Sequence, residues 1–286
     1  EKEVTAEFKK GTAGRFAPGL PAKGDGQLLF MLNGLAKLKD DGQMAIIQNG
    51  SSLFNGDAGS GPSEIRRYLI ENDWLDAIVQ LPNNTFYNTG IATYIWLVMK
   101  EKPAHHQGKV QLIDASKCCC ARRKNIGSKN VDISQACRDL IVKAYGAYVD
   151  GTYNGVDEND NGIVVKSKVM ESVELGYNKI VVETPELDEA GQVVRKKNKP
   201  VADKSKRDTE NVPLVEDIDA YFAREVLPYN PQAWIDKSKT KVGYEIPFTR
   251  TFYEYKQIEP AEKIAARIEE HEKSLMAKLH ELFGGE

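Results

Sequence analysis

Two strongly apolar stretches lie almost back to back, residues 76–81 (Asp-Ala-Ile-Val-Gln-Leu) and residues 91–99 (Ile-Ala-Thr-Tyr-Ile-Trp-Leu-Val-Met). Strands this apolar cannot leave a face in water, so both are expected inside a sheet covered on both sides. The connection of about ten residues is too short for a parallel crossover, so the two should pair antiparallel. Phe86 and Tyr87 sit at the tip of that connection. An aromatic ring on a rigid scaffold suits stacking on a flat ligand such as a nucleobase.

The flanking pattern extends this to an open α/β sheet. Leu28, Met31, Leu32, Leu35 and Leu38 recur at helical spacing and predict a helix over 27–39, ended by Asp40-Asp41-Gly42. A buried strand follows at 43–48, then a loop at 49–61. Pro62 stands at a first helical position, with the helix continuing to residue 72. A further strand is expected at 109–114. This order implies a mostly parallel sheet with one reversed strand, preceded by an irregular segment at 1–26.

Beyond residue 115 the character changes. A helix is expected at 134–148, a polar turn at 151–162, and strands at 180–183 and 192–195 around the turn 188–191. Residues 196–211 read as a charged mobile loop, 215–226 as a helix, and the aromatic-rich 227–259 as packing on the surface. A last helix spans 260–283, where Ile268, Leu275 and Leu282 recur every seven residues beside Ile264 and Leu279. The expected division is therefore 1–115, an α+β region at 116–259, and a terminal helix at 260–286.

Composition removes several classes. No apolar run approaches the roughly 20 residues that span a bilayer, and no signal-peptide pattern is present, so a cytoplasmic location without membrane contact is expected. Cys118-Cys119-Cys120 and Cys137 lack metal-ligand spacing and imply a reduced compartment without a metal site. His105, His106, His271 and His280 show no partner carboxylate, and exposure is expected for the first two. The glycine-rich stretch 56–63 has P-loop-like spacing, but Pro62 replaces the phosphate-binding lysine. Asn49-Gly50-Ser51 ends a predicted strand and reads equally as a capping turn. A nicotinamide oxidoreductase lacks any dinucleotide fingerprint.

The net charge of −3 carries no global nucleic-acid signature. Contact with DNA would fall to local patches: Arg122-Arg123-Lys124, or the run Arg195-Lys196-Lys197 with Lys199, Lys204, Lys206 and Arg207.

Three blocks together resemble the modification subunit of type I restriction–modification systems, an adenine-N6 DNA methyltransferase. They are residues 26–100, including Lys39-Asp40-Asp41-Gly42-Gln43-Met44-Ala45-Ile46-Ile47; Leu175-Gly176-Tyr177-Asn178-Lys179-Ile180-Val181-Val182-Glu183-Thr184-Pro185; and Leu227-Pro228 through Ala233-Trp234-Ile235-Asp236, then Lys241-Val242-Gly243-Tyr244-Glu245-Ile246-Pro247-Phe248-Thr249-Arg250. The resemblance implies the second half of a Rossmann-like methyltransferase sheet with one antiparallel strand, then an α+β region and a long C-terminal helix. It implies S-adenosylmethionine as cofactor, double-stranded DNA as substrate with a flipped adenine, and the specificity and restriction subunits as partners. Phe86, favoured over Tyr87, takes the role of stacking on the base. Ile264, Ile268, Leu275, Leu279 and Leu282 take the role of docking on the specificity subunit. The family's cofactor loop and Asn-Pro-Pro-Phe/Tyr motif do not occur in this sequence. The chain therefore reads as a carboxy-terminal portion without catalytic residues of its own, expected to be inactive alone. The alternative is a non-catalytic assembly module that binds partner subunits.

Overall fold

The computed structural model describes residues 2–255 and 259–283. Helix α1 (Lys2–Phe8) and one 3-10 turn replace the start of the expected irregular segment. Helix α2 (Gln27–Leu35) buries Leu28, Met31, Leu32 and Leu35. It stops short of residue 39, where the chain turns through bonds from the Leu38 N–H to the Leu35 carbonyl (3.2 Å) and from the Gly42 N–H to the Lys39 carbonyl (3.0 Å). Strand β1 (Gln43–Asn49), the one-turn helix α3 (Ser51–Phe54) and helix α4 (Gly61–Glu71) come next. Pro62 lies in the first turn of α4, where its missing N–H costs nothing. Then follow β2 (Leu75–Gln80), β3 (Thr93–Met99), β4 (Lys109–Lys117), β5 (Cys120–Ile126), β6 (Lys129–Asp132), α5 (Gln135–Ala147), β7 (Gly151–Val156) and β8 (Gly162–Glu171).

Six of these strands form one sheet in the order β1-β3-β2-β4-β8-β7. β3 is antiparallel to both β1 and β2, and β2 is parallel to β4. β1, β2 and β4 thus share a direction with β3 reversed among them, as expected. The sheet as a whole is nevertheless mostly antiparallel. The reversed strand sits between two others, so both its pairings are antiparallel, and the β7–β8 hairpin adds two more at β4. The polar turn expected at 151–162 is in fact β7 and the tip of that hairpin. β7 is rich in Gly and Asn and buries no residue, so it lacks a strand signal.

Both faces of the central strands are covered. Ile78, Trp96 and Leu112 share one face through their register, and all three have no exposed surface. Val79 and Ile113 share the other face, where Cys137, Leu140 and Ala144 of α5 pack on them. β1 lies at the sheet edge and is not the fully buried strand expected. Its residues alternate, leaving Ile47 about half exposed.

A second sheet is built around β9 (Gly176–Glu183). After it come the small hairpin β10 (Arg195–Lys196) and β11 (Lys199–Pro200), then β12 (Asp208–Pro213), α6 (Ile218–Glu225), β13 (Trp234–Ile235), β14 (Lys241–Tyr244) and α7 (Phe248–Thr251). β12 pairs along one edge of β9, and β13 and β14 along the other. Both edges are therefore taken, and residues 192–195 do not pair with 180–183; Val193 bridges Leu187 instead. Part of the loop expected at 196–211 is β12, an edge strand whose one buried residue, Val212, leaves no apolar alternation to read.

The two sheets are locked by Arg66, which has no exposed surface. Its guanidinium donates to the carbonyls of Tyr244 (2.6 Å), Ser52 (3.1 Å) and Gly56 (3.4 Å). Burial lowers its pKa to about 10, still high enough to stay charged at neutral pH. Tyr244, Ile246 and Phe248 are buried at this junction and are not the surface packing expected. Residues Glu1–Thr251 accordingly form one compact unit, and no boundary falls at 115/116, since β4 and β8 pair across it. A second unit, Phe252–Glu286, contains α8 (Ala261–Phe283).

Candidate functional site

The parallel strands β1, β2 and β4 end together on one edge, the carboxyl edge at which open α/β sheets bind ligands. At the end of β1 a polar knot forms. Gln27 Nε2 donates to Asn49 Oδ1 (2.8 Å) and to Asp25 Oδ2 (3.2 Å), and the Asn49 backbone N–H donates to Gln27 Oε1 (3.0 Å). Ser51 Oγ donates to Asp25 Oδ2 (2.8 Å). These side chains satisfy one another, which accounts for Asn49-Gly50-Ser51 as a capping arrangement.

At the end of β2 stands the aromatic loop, residues 82–91. It closes on itself: Asn84 N–H donates to the Gly90 carbonyl (3.3 Å), Thr85 Oγ1 to the Pro82 carbonyl (2.6 Å), and Phe86 bridges Thr89. Phe86 is half-buried and packs on the core cluster that includes Val79, Leu81, Ile113 and Cys118. Tyr87 is 63% exposed, and the Lys129 ammonium lies 5.9 Å from its ring centroid. The loop thus splits its two aromatics, one anchored in the body and one projecting.

Beside the loop lies the β5–β6 hairpin, which the sequence pattern did not reveal. Two backbone bonds stitch them together, Ser128 N–H to the Tyr87 carbonyl (2.7 Å) and Asn130 N–H to the Asn84 carbonyl (3.2 Å). Gly127, at φ +58°, is required there: a Cβ would lie 2.3 Å from the Tyr87 carbonyl oxygen. Arg122 is engaged within the hairpin, pairing with Asp132 and donating to the Lys124 carbonyl. Lys129 also pairs with Asp132 (3.0 Å), and these two cations hold the Asp132 carboxyl below its usual range, Lys129 foremost. Arg123 and Lys124 are exposed, with no ion pair among the described residues.

The second basic run lies elsewhere. Lys196, Lys197 and Lys199 are exposed on the β10–β11 hairpin. Arg207 and Lys239 instead converge on Glu183, which is 2% exposed (Nη2–Oε1 2.8 Å, Nζ–Oε1 2.9 Å). Arg207 and Lys239 together lower the Glu183 pKa, Arg207 contributing more.

One expectation is overturned outright. His106 is buried and does have a carboxylate partner: its Nδ1 lies 2.7 Å from Asp76 Oδ1, and its ring stacks on Tyr148 at 3.5 Å. Tyr145 donates to the other Asp76 oxygen at 2.6 Å, and burial beside Asp76 pushes its hydroxyl pKa up. Asp76 lies near the start of β2, away from the carboxyl edge. The cysteines are free thiols. Burial raises the pKa of Cys118, Cys119 and Cys120, leaving them poor nucleophiles. Among the described residues, no group of His, Cys, Asp and Glu is arranged to hold a metal, and no helix is long and apolar enough to cross a membrane.

A family model described as N-6 DNA methylase matches residues 3–183. The methylase subunit of the type I restriction enzyme MjaIX of Methanocaldococcus jannaschii is 28% identical over 178 residues, 53% of this chain and 31% of its own. The HindI methylase subunit of Haemophilus influenzae is 31% identical over 101 residues, 35% of this chain and 22% of its own. Among solved structures, a type I restriction–modification methyltransferase subunit from Streptococcus thermophilus shares 28% identity with a TM-score of 0.47, covering 59% of this chain and 31% of that one. The chain spans about a third or less of the length of these relatives.

Proposed function

Because the chain belongs to the N-6 DNA methylase family, we propose that it forms the base-facing part of a type I modification subunit that methylates adenine N6 in duplex DNA. In this reading Phe86 stacks on the extruded adenine. Extruding a base costs a few kcal/mol, and a stack on an aromatic ring returns about 1–3 kcal/mol of it. The observation that carries the proposal is the anchored loop at the carboxyl edge, with the Phe86 ring held half-buried on the core. A ring seated in this way loses little freedom on meeting a base.

S-adenosylmethionine is the methyl donor that the family implies. The family's Gly-rich cofactor loop does not occur in this sequence. Asp25 at this edge is held on one oxygen by Gln27 and Ser51. A cavity of about 570 Å³ is lined by Thr12, Arg15, Leu32, Trp74 and Lys100, at the end of β2 and β3 opposite the aromatic loop.

The relatives are named as subunits. That supports a partner-binding role for α8, whose seam of Ile264, Ile268, Leu275, Leu279 and Leu282 has no buried member. The specificity subunit is the partner proposed for this seam. The restriction subunit completes the complex.

Methyl incorporation into duplex DNA by the complete modification enzyme tests the base-facing role. Phe86→Ala should slow transfer by about one to two orders of magnitude, the cost of one lost stack, while Phe86→Trp retains most of it. Transfer by Phe86→Ala at the wild-type rate would contradict the proposal.

A further inference from the structure

The loop and the hairpin stitched to it gather basic side chains at the carboxyl edge of the sheet. Residues 82–92 and 115–131 contain Lys117, Arg122, Arg123, Lys124 and Lys129 and not one acidic residue, in a chain of net charge −3. The other basic run, on the β10–β11 hairpin, has no backbone bond to the aromatic loop among the described residues. The first patch also presents exposed apolar groups between its cations, Tyr87 at 63%, Ile91 at 58% and Ile126 at 49%. Basic side chains interleaved with projecting apolar ones suit a surface that follows a phosphate backbone and presses against base steps.

Position adds to composition. β4 ends at Lys117 on the carboxyl edge, and the hairpin continues from there to dock on the loop that carries Phe86. Within it, Arg122 and Lys129 are occupied with Asp132, and Lys129 also lies against the Tyr87 ring. They brace the unit. Arg123 and Lys124 are left for an external anion.

We propose that the β5–β6 hairpin and the 82–91 loop act as one prong that grips duplex DNA beside the extruded base, with Arg123 and Lys124 on backbone phosphates and Tyr87 against the neighbouring base step. This rests on the base-facing reading of Phe86, and it adds a DNA-holding element with its own residues.

Salt-dependent binding to a fluorescein-labelled DNA duplex, read by anisotropy in the complete modification enzyme, tests the prong. Each phosphate contact contributes about 0.9 to the slope of log affinity against log salt. Arg123→Ala/Lys124→Ala should reduce the slope by about 2, with the fold retained by circular dichroism. Lys196→Ala/Lys197→Ala removes the same charge from the other hairpin and should change the slope less. An unchanged slope for the first pair, or an equal drop for both pairs, would overturn the prong. Phe86→Ala separates the two readings. Slowed transfer there with an unchanged slope for Arg123→Ala/Lys124→Ala removes the prong and keeps the base pocket. A reduced slope with unaltered transfer by Phe86→Ala keeps the prong and removes the pocket.

Discussion

Glu183 shows at the scale of one residue how this fold carries buried charge. The carboxylate is almost wholly enclosed and accepts from Arg207 and Lys239, so its charge is compensated on both oxygens. Its pKa is depressed, so the stabilisation is present above the unfolded carboxylate pKa of about 4.3 and is lost as pH falls through the folded value. Glu183→Gln should therefore lower the melting temperature at pH 7. The difference from wild type should shrink as pH falls below about 4. A difference independent of pH would contradict this. The block around Glu183 was legible as a family signature, but not its reason, since Arg207 and Lys239 lie 24 and 56 residues away. His106 failed for the same cause. Its carboxylate is 30 residues upstream in β2, and Tyr145 reaches Asp76 across 69 residues. No spacing rule joins residues that only the sheet brings together.

At the scale of elements, legibility followed burial. β2, β3, α4 and α5 have strong apolar patterns and lie where the sequence placed them. β5, β6, β7 and β12 are edge strands or hairpins with few buried residues, and their alternation is too weak to read. The consequence was functional. Phe86 and the basic residues at 122–124 were each visible, but the backbone bonds that make them one surface were not. The terminal helix was legible from its heptads. Its seam has no buried member, Ile268 and Leu275 being 61% and 59% exposed. Such a seam needs a partner helix to bury it. Removing residues 261–286 should abolish co-elution with the specificity subunit while leaving the remaining unit folded. An intact complex after that truncation would contradict the docking role.

At the scale of the whole molecule, the candidate chemistry gathers at one edge of the larger sheet. The sheet sends the ends of three like-directed strands to one edge, and the aromatic loop and the basic β5–β6 hairpin are built there. The overall charge gives no hint of this, because acids elsewhere offset the local cations. The chain belongs to the N-6 DNA methylase family, and DNA is the ligand proposed for this edge. The most direct measurement is photocrosslinking of the complete modification enzyme to a duplex of its recognised site, with 5-iodouracil in place of the target adenine. Peptide mass mapping should locate the adduct within residues 82–91, on Phe86, and Phe86→Ala should abolish it. An adduct formed wholly outside that loop, or one undiminished in Phe86→Ala, would contradict the account.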